Sequence, residues 1–220
     1  PAAQSRPKAM QNIIRTSEFI EGIPVAIMLN LQVDTGLVRE WVAEAGDIAL
    51  HYFGRVAAEW KGVADPVTVA DREVEELLTG YIQTTYPDHG IIGEEYGCAD
   101  LERDYLWAID PIDGTRAYVD GLPNWSISVG LLHKGIPVFG LVCMPLLNDW
   151  TYTDGDEVLH NGRSIRGQMH TAWGEDSYIF ARSDITSDYQ VDFTRINALG
   201  STASHMAYTA RGASVATVAH

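Results

Sequence analysis

The residues best suited to chemistry lie together in the run Asp110-Pro111-Ile112-Asp113-Gly114-Thr115. The run follows an apolar stretch, Tyr105 to Ile109, whose length and content suit a buried strand. Two carboxylates three residues apart at a strand exit repel each other unless a cation sits between them. Hard oxygen donors of this kind suit Mg²⁺, which binds through one or two carboxylates and completes its shell with water and substrate phosphate. Pro111 biases Asp110 towards an extended backbone, and Gly114 lets backbone N–H groups approach a ligand closely. The plainer reading is an Asp-rich turn whose acids cap the next segment.

Two other elements tip the balance. Asp110-Pro-Ile-Asp-Gly-Thr115 resembles the signature of the inositol monophosphatase family of metal-dependent phosphatases. Val67-Thr-Val-Ala-Asp71 and Gly93-Glu-Glu95 lie upstream in the order that this family shows. The likeness runs from about Leu37 to the end of the sequence. It implies a layered α/β (α+β) fold, the αβαβα sandwich of the inositol monophosphatase and fructose-1,6-bisphosphatase type. The implied activity is Mg²⁺-dependent hydrolysis of a small polyol or sugar phosphate monoester, inositol monophosphate first. The segment Arg116 to Trp125 keeps histidinol-phosphate phosphatase as the alternative. A catalytically silent, metal-binding homologue is the rival of another class.

A phosphate monoester is dianionic and water is a weak nucleophile. Paired cations lower the pKa of water, orient the phosphoryl group and neutralise the leaving oxygen, which requires acids converging from separate segments. By the resemblance, two or three Mg²⁺ ions are expected. Glu94 matches the first metal ligand and helps position the attacking water. Asp110 and Asp113 match acids that bind or bridge the ions, and Ile112 matches a backbone-carbonyl ligand. Asp71 matches an acid that hydrogen-bonds Thr115 and contacts a metal water. Glu94, Thr115 and Asp71 are therefore the expected catalytic residues.

Gly114 and Thr115 would offer N–H groups to phosphate at a helix start. The turn Gly200-Ser201-Thr202 resembles the family's substrate-facing turn, and Trp125 is expected to face the substrate. Lys61 lies where the family often carries a lysine. Plainer roles exist for several of these: Asp71 as a helix N-cap, Glu95 as a supporting or solvated acid, Lys61 as a loop charge, and Ser201 and Thr202 as an ordinary cap.

Positioning these residues takes a mixed set of elements. Leu37, Trp41, Ala45, Ile48, Ala49 and Tyr52 recur at helical spacing, with Asp34 or Thr35 as N-cap and Gly54 as terminator. A second helix starts near Ala70 and stops at Tyr86-Pro87-Asp88-His89-Gly90. Ile91-Ile92 is a short strand delivering Glu94. Ser126–His133 and Ile136–Cys143 form a hairpin through Lys134-Gly135, and Trp150–Thr153, Val158–His160 and Tyr178–Ala181 read as further strands. A last helix spans Ala203 to about Arg211, followed by a strand-like Ser214–Val218. Residues 1–33 read as an N-terminal extension of unknown role, and residues 34–220 as the phosphatase domain. The family carries one more metal-binding acid about 25 residues after Gly200, so the domain is expected to lack its C-terminal part here.

Composition narrows the function classes. The 220 residues carry 30 acids against 15 Lys plus Arg, a net charge of −15, which disfavours nucleic-acid and anionic-membrane partners. An acidic protein acting on phosphates must neutralise its own site, and bound metal would do that. No Gly-x-Ser-x-Gly, phosphate-loop or dinucleotide-turn motif occurs. Cys98 and Cys143 form no framework of disulfides or zinc ligands and are expected to be buried apolar residues. The expected setting is cytoplasmic, the expected partner a small phosphorylated substrate, and the expected state a homodimer.

Overall fold

The computed structural model describes residues 33–55, 59–60, 66–170, 172, 177, 179–181 and 196–218. Helix α1 (Thr35–Tyr52) is capped by Asp34, whose side chain accepts from Leu37 N at 3.0 Å. Its buried stripe is Val38, Trp41, Val42, Ala45 and Ala49. Helix α2 (Val69–Thr85) packs against it, with Trp41 stacked on Tyr81 at 5.5 Å. Between the helices, β1 (Glu59–Trp60) and β2 (Pro66–Val67) pair antiparallel. Lys61, in the loop they enclose, lies outside the described residues.

The main sheet comprises β3 (Gly90–Gly93), β4 (Cys98–Ala99), β5 (Tyr105–Asp113), β6 (Ser126–His133), β7 (Ile136–Met144), β8 (Asp149–Asp154), β9 (Glu157–His160) and β10 (Arg163–Ser164). Their spatial order is β10-β9-β8-β7-β6-β5-β3-β4. Strands β3 and β5 are parallel, whereas the other neighbours are antiparallel. Lys134 and Gly135 both adopt positive φ in the β6–β7 turn, as a two-residue hairpin of this twist requires.

Alternation along the strands gives the sheet two unlike faces. Trp107 and Ile109 of β5, Ile127, Val129 and Leu131 of β6, and Leu141 and Cys143 of β7 join α1 and α2 in one core. Full burial of each large side chain contributes about 1.5–3 kcal/mol. The intervening residues include Ala108, Ser128, Gly130, Gly140 and Thr151, which are small. They floor a cavity of about 670 Å³ beneath α4 (Thr202–Ala210). Helix α4 also touches a small parallel sheet, β12-β11-β13, made of Ile196–Asn197, Ile179–Ala181 and Ala216–Val218. The layers thus run helix pair, sheet, helix, sheet.

Three expectations need correction. Strand β5 continues through Asp110 to Asp113 instead of ending at Ile109. A register shift between Asp110 and Asp113 accommodates Pro111, which has no N–H to give a regular ladder. Cys98 is exposed on β4 at the sheet edge, and only Cys143 is buried. Trp125 is fully buried against Phe53 and Tyr118, so it belongs to the core and presents no face to a substrate.

Candidate active site

The parallel pairing of β3 and β5 sets the site. Gly93 is in register with Ile109, so Glu94, just past the carboxyl end of β3, lies beside Asp110 of β5. That is where ligands bind in sheets with parallel strands. Asp110 is half-buried, but its Oδ1 is enclosed and has no hydrogen-bond partner. Burial first, then the charges of Asp113 and Glu94, a hydrogen bond with Glu94 and the charge of Asp71, push its carboxyl up to about 9. Among the described residues, every charge bearing on it is acidic.

Asp71 enters from the first turn of α2. The N-cap is Thr68, not Asp71. Thr68 Oγ1 accepts from Ala70 N, while Asp71 Oδ2 accepts from Thr68 N at 2.8 Å and from Thr68 Oγ1 at 2.6 Å. Burial raises the Asp71 carboxyl more than these bonds lower it. Its other oxygen lies 3.4 Å from Thr115 Oγ1, the contact anticipated from the motif. Thr115 Oγ1 donates at 2.9 Å to the Ile112 carbonyl, which retains a second lone pair.

Gly114 turns the chain in a left-handed conformation, φ 93°, into α3 (Thr115–Val119). A side chain there would press on Asn124 O, Gly200 O and Ser201 Cβ at 3.1–3.2 Å. With only five residues, α3 adds little dipole, so the backbone N–H groups themselves are what Gly114 and Thr115 can offer an anion.

Asp113 turns towards the start of α4. Its Oδ2 accepts from Ser201 Oγ at 2.5 Å and from Ala203 N at 2.6 Å. Ser201 is buried, caps α4, and also contacts Ser126 and Ser204. It therefore orients Asp113 and is not itself open to a substrate. Thr202, the first residue of α4, is half-buried beside it. Ser126, Ser204 and the Ala203 amide were not foreseen, because strand pairing and helix docking bring them to Asp113 from distant positions.

Among the described residues, no group of three or more His, Cys, Asp or Glu side chains has the geometry of a ready-made ion cage. The donor set nevertheless fits a hard divalent cation: an enclosed, unpartnered carboxylate oxygen, two neighbouring acids and a backbone carbonyl. Glu94, Asp110, Ile112 O and Asp113 would hold it.

Comparison with known proteins places the chain in a family. The family model for the inositol monophosphatase family matches residues 30–220. A fructose-1,6-bisphosphatase/inositol-1-monophosphatase of Thermotoga maritima is 34% identical over 177 residues, covering 77% of this chain and 68% of the relative. A histidinol-phosphatase of Chlorobaculum parvum is 31% identical over 172 residues, covering 75% and 66%. The solved Thermotoga maritima inositol monophosphatase superposes with a TM-score of 0.72 at 34% identity, covering 80% of this chain and 71% of that one. The chain belongs to the inositol monophosphatase family, whose members are metal-dependent phosphatases.

Proposed function

We propose that the domain, residues 34–220, hydrolyses a small polyol or sugar phosphate monoester with Mg²⁺ at Glu94, Asp110, Ile112 O and Asp113. The observation that carries this reading is Asp110, a carboxylate set among acids with an enclosed oxygen left unpartnered. Two or three Mg²⁺ ions bound there would lower the pKa of water and screen the charge of the phosphoryl group. The remaining roles belong to the chain itself. Glu94 accepts the proton of the attacking water, Thr115 and Asp71 hold that water by hydrogen bonds, and the Gly114 and Thr115 amides bind phosphate oxygens. Thr202 and the start of α4 contact the alcohol portion.

Inositol monophosphate is the first substrate proposed. Histidinol phosphate is the second, favoured by the similarity to the Chlorobaculum histidinol-phosphatase. The cytoplasm as location and a homodimer as the assembled form complete the reading. No described helix is long and apolar enough to cross a membrane. Phosphate release from inositol, histidinol, fructose and adenosine phosphates, with Mg²⁺ and with chelator, tests the proposal. Mg²⁺-dependent turnover of one of them is expected. Metal binding without turnover of any would identify a silent homologue.

A further inference from the structure

Glu75 follows Asp71 by one turn on α2 and is 1% exposed. Both of its carboxylate oxygens are used. Glu95 N donates to Oε2 at 2.7 Å, and Tyr96 N donates to Oε1 at 2.8 Å. These are the two amides immediately after Glu94, so a buried acid on a helix grips the backbone that carries the site acid. Hydrogen bonds to a carboxylate are about twice as strong as neutral ones, and paired bonds fix orientation as well as distance.

Gly93, on the other side of Glu94, fits the same arrangement. Its backbone is not among those at positive φ, so conformational freedom does not explain a glycine there. A Cβ on Gly93 would instead overlap Glu75 Oε1 and come within 2.7 Å of Cδ. The end of a glutamate normally swings aside at little cost, but here two hydrogen bonds and burial hold it. The bare backbone of Gly93 thus makes room for the Glu75 carboxylate.

We infer that Glu75 is a positioning residue for Glu94, clamping the Glu95 and Tyr96 amides so that Glu94 stays beside Asp110 before a cation arrives. Without the clamp, the segment that carries Glu94 would lose two anchoring hydrogen bonds and sample other positions. Every cation binding event would then have to restore the ordered loop. The inference rests on the phosphatase reading for what Glu94 does, while the clamp itself is independent of that reading.

Glu75→Gln keeps the size of the side chain but sets an NH₂ group against one of the two amides. Three measurements on the full chain test it: hydrogen exchange at Glu95 and Tyr96 in chelator, calorimetric Mg²⁺ and Mn²⁺ affinity, and the Mg²⁺ half-saturation of inositol 1-phosphate hydrolysis. Exchange should accelerate at those amides. Metal affinity should weaken about 10- to 100-fold, the usual cost of losing a partner behind a metal ligand. Turnover at saturating Mg²⁺ should hold within a few-fold.

Gly93→Ala should reproduce the weaker metal affinity with Glu75 in place, and so tests the clamp even if Glu75→Gln folds poorly. Adding Gly93→Ala to Glu75→Ala should cost nothing further, since the overlap is gone. Wild-type metal affinity in both Glu75→Gln and Gly93→Ala would overturn the inference, as would lost stability with metal affinity unchanged. If wild type turns over no phosphate ester but Glu75→Gln still loosens the amides and weakens metal binding, the phosphatase reading fails and the clamp stands.

Discussion

Asp110 and Asp149 are both acids on strands of the main sheet, and the chain treats them in opposite ways. Asp149, at the start of β8, is 16% exposed at its side chain. It receives Arg211 Nη1 at 2.8 Å on each oxygen. Arg211 in turn lies over the Tyr208 ring at 4.3 Å. His160 Nε2 sits 3.4 Å from the same carboxylate. Asp110 has acids around it and an enclosed oxygen without a partner. A buried charge must be compensated or neutralised. At Asp149 the protein supplies the cation and gains a tether between α4 and the sheet. At Asp110 it leaves the place to a proton or a metal ion.

The largest effect expected from this contrast is on turnover. Asp110→Asn should lower metal-dependent phosphate release by more than the 10- to 100-fold typical of residues behind a ligand, while its melting temperature in chelator holds or rises. The amide keeps the shape and removes the need for a proton or a cation at that place. Asp113→Asn should behave less cleanly, because Asp113 also anchors Ser201 and Ala203. Wild-type turnover by Asp110→Asn at limiting Mg²⁺ would put the metal elsewhere.

The converse substitution, Arg211→Met, should act on stability. Removing one partner of a mostly buried pair strands the other charge, at a cost of about 2–4 kcal/mol. Denaturant unfolding measures it, and turnover per folded molecule should stay near wild type. Loss of activity without loss of stability would mean that Asp149 and Arg211 serve the site directly.

Mg²⁺ sharpens the distinction next. A ligand at a hundred times its Kd stabilises the native state by about 2.7 kcal/mol. Wild type and Arg211→Met should gain several degrees in Tm with Mg²⁺ over chelator, and Asp110→Asn should gain little. Equal gains in all three would assign the cation to a different acidic surface.

Sequence made one side of this contrast legible and hid the other. Asp110, Asp113 and Glu94 sit where apolar runs end, so local order alone exposes them. The Lys134-Gly135 turn, the Asp34 cap and the stop at Tyr86–Gly90 follow from equally local chemistry. Arg211, Ser201 and Ser126 acquire their roles only when α4 docks on the sheet, 62 to 88 residues from their partners, and nothing local announces that. Glu75 did leave a trace. With Asp71 it forms an acidic i, i+4 pair bordering the apolar positions Ala70, Val74, Leu78 and Ile82 of α2. Trp125 and Cys98 were misread because proximity in sequence to a motif, or an apolar residue type, does not determine burial.

The smallest effect expected concerns a third titratable group, His89, near the other end of β5. Its ring lies between Tyr86, at 5.0 Å, and Tyr105, at 4.7 Å, and its Nδ1 accepts from Trp107 Nε1 at 3.0 Å. Burial lowers its pKa more than the adjacent Asp88 raises it, and Asp88 lies 3.8 Å from Arg103. The neutral ring is therefore favoured in the folded state. The unfolded chain takes up a proton as pH falls through about 6.5, while the folded chain resists until its own lower pKa. Stability from this group is complete above that window and is lost as pH drops through it. His89→Asn offers an amide oxygen to Trp107 Nε1 and does not titrate. Between pH 8 and pH 5.5 its melting temperature should fall less than that of wild type. An identical fall in the two proteins would show that His89 carries no part of the acid sensitivity, and that the Trp107 hydrogen bond contributes nothing to stability.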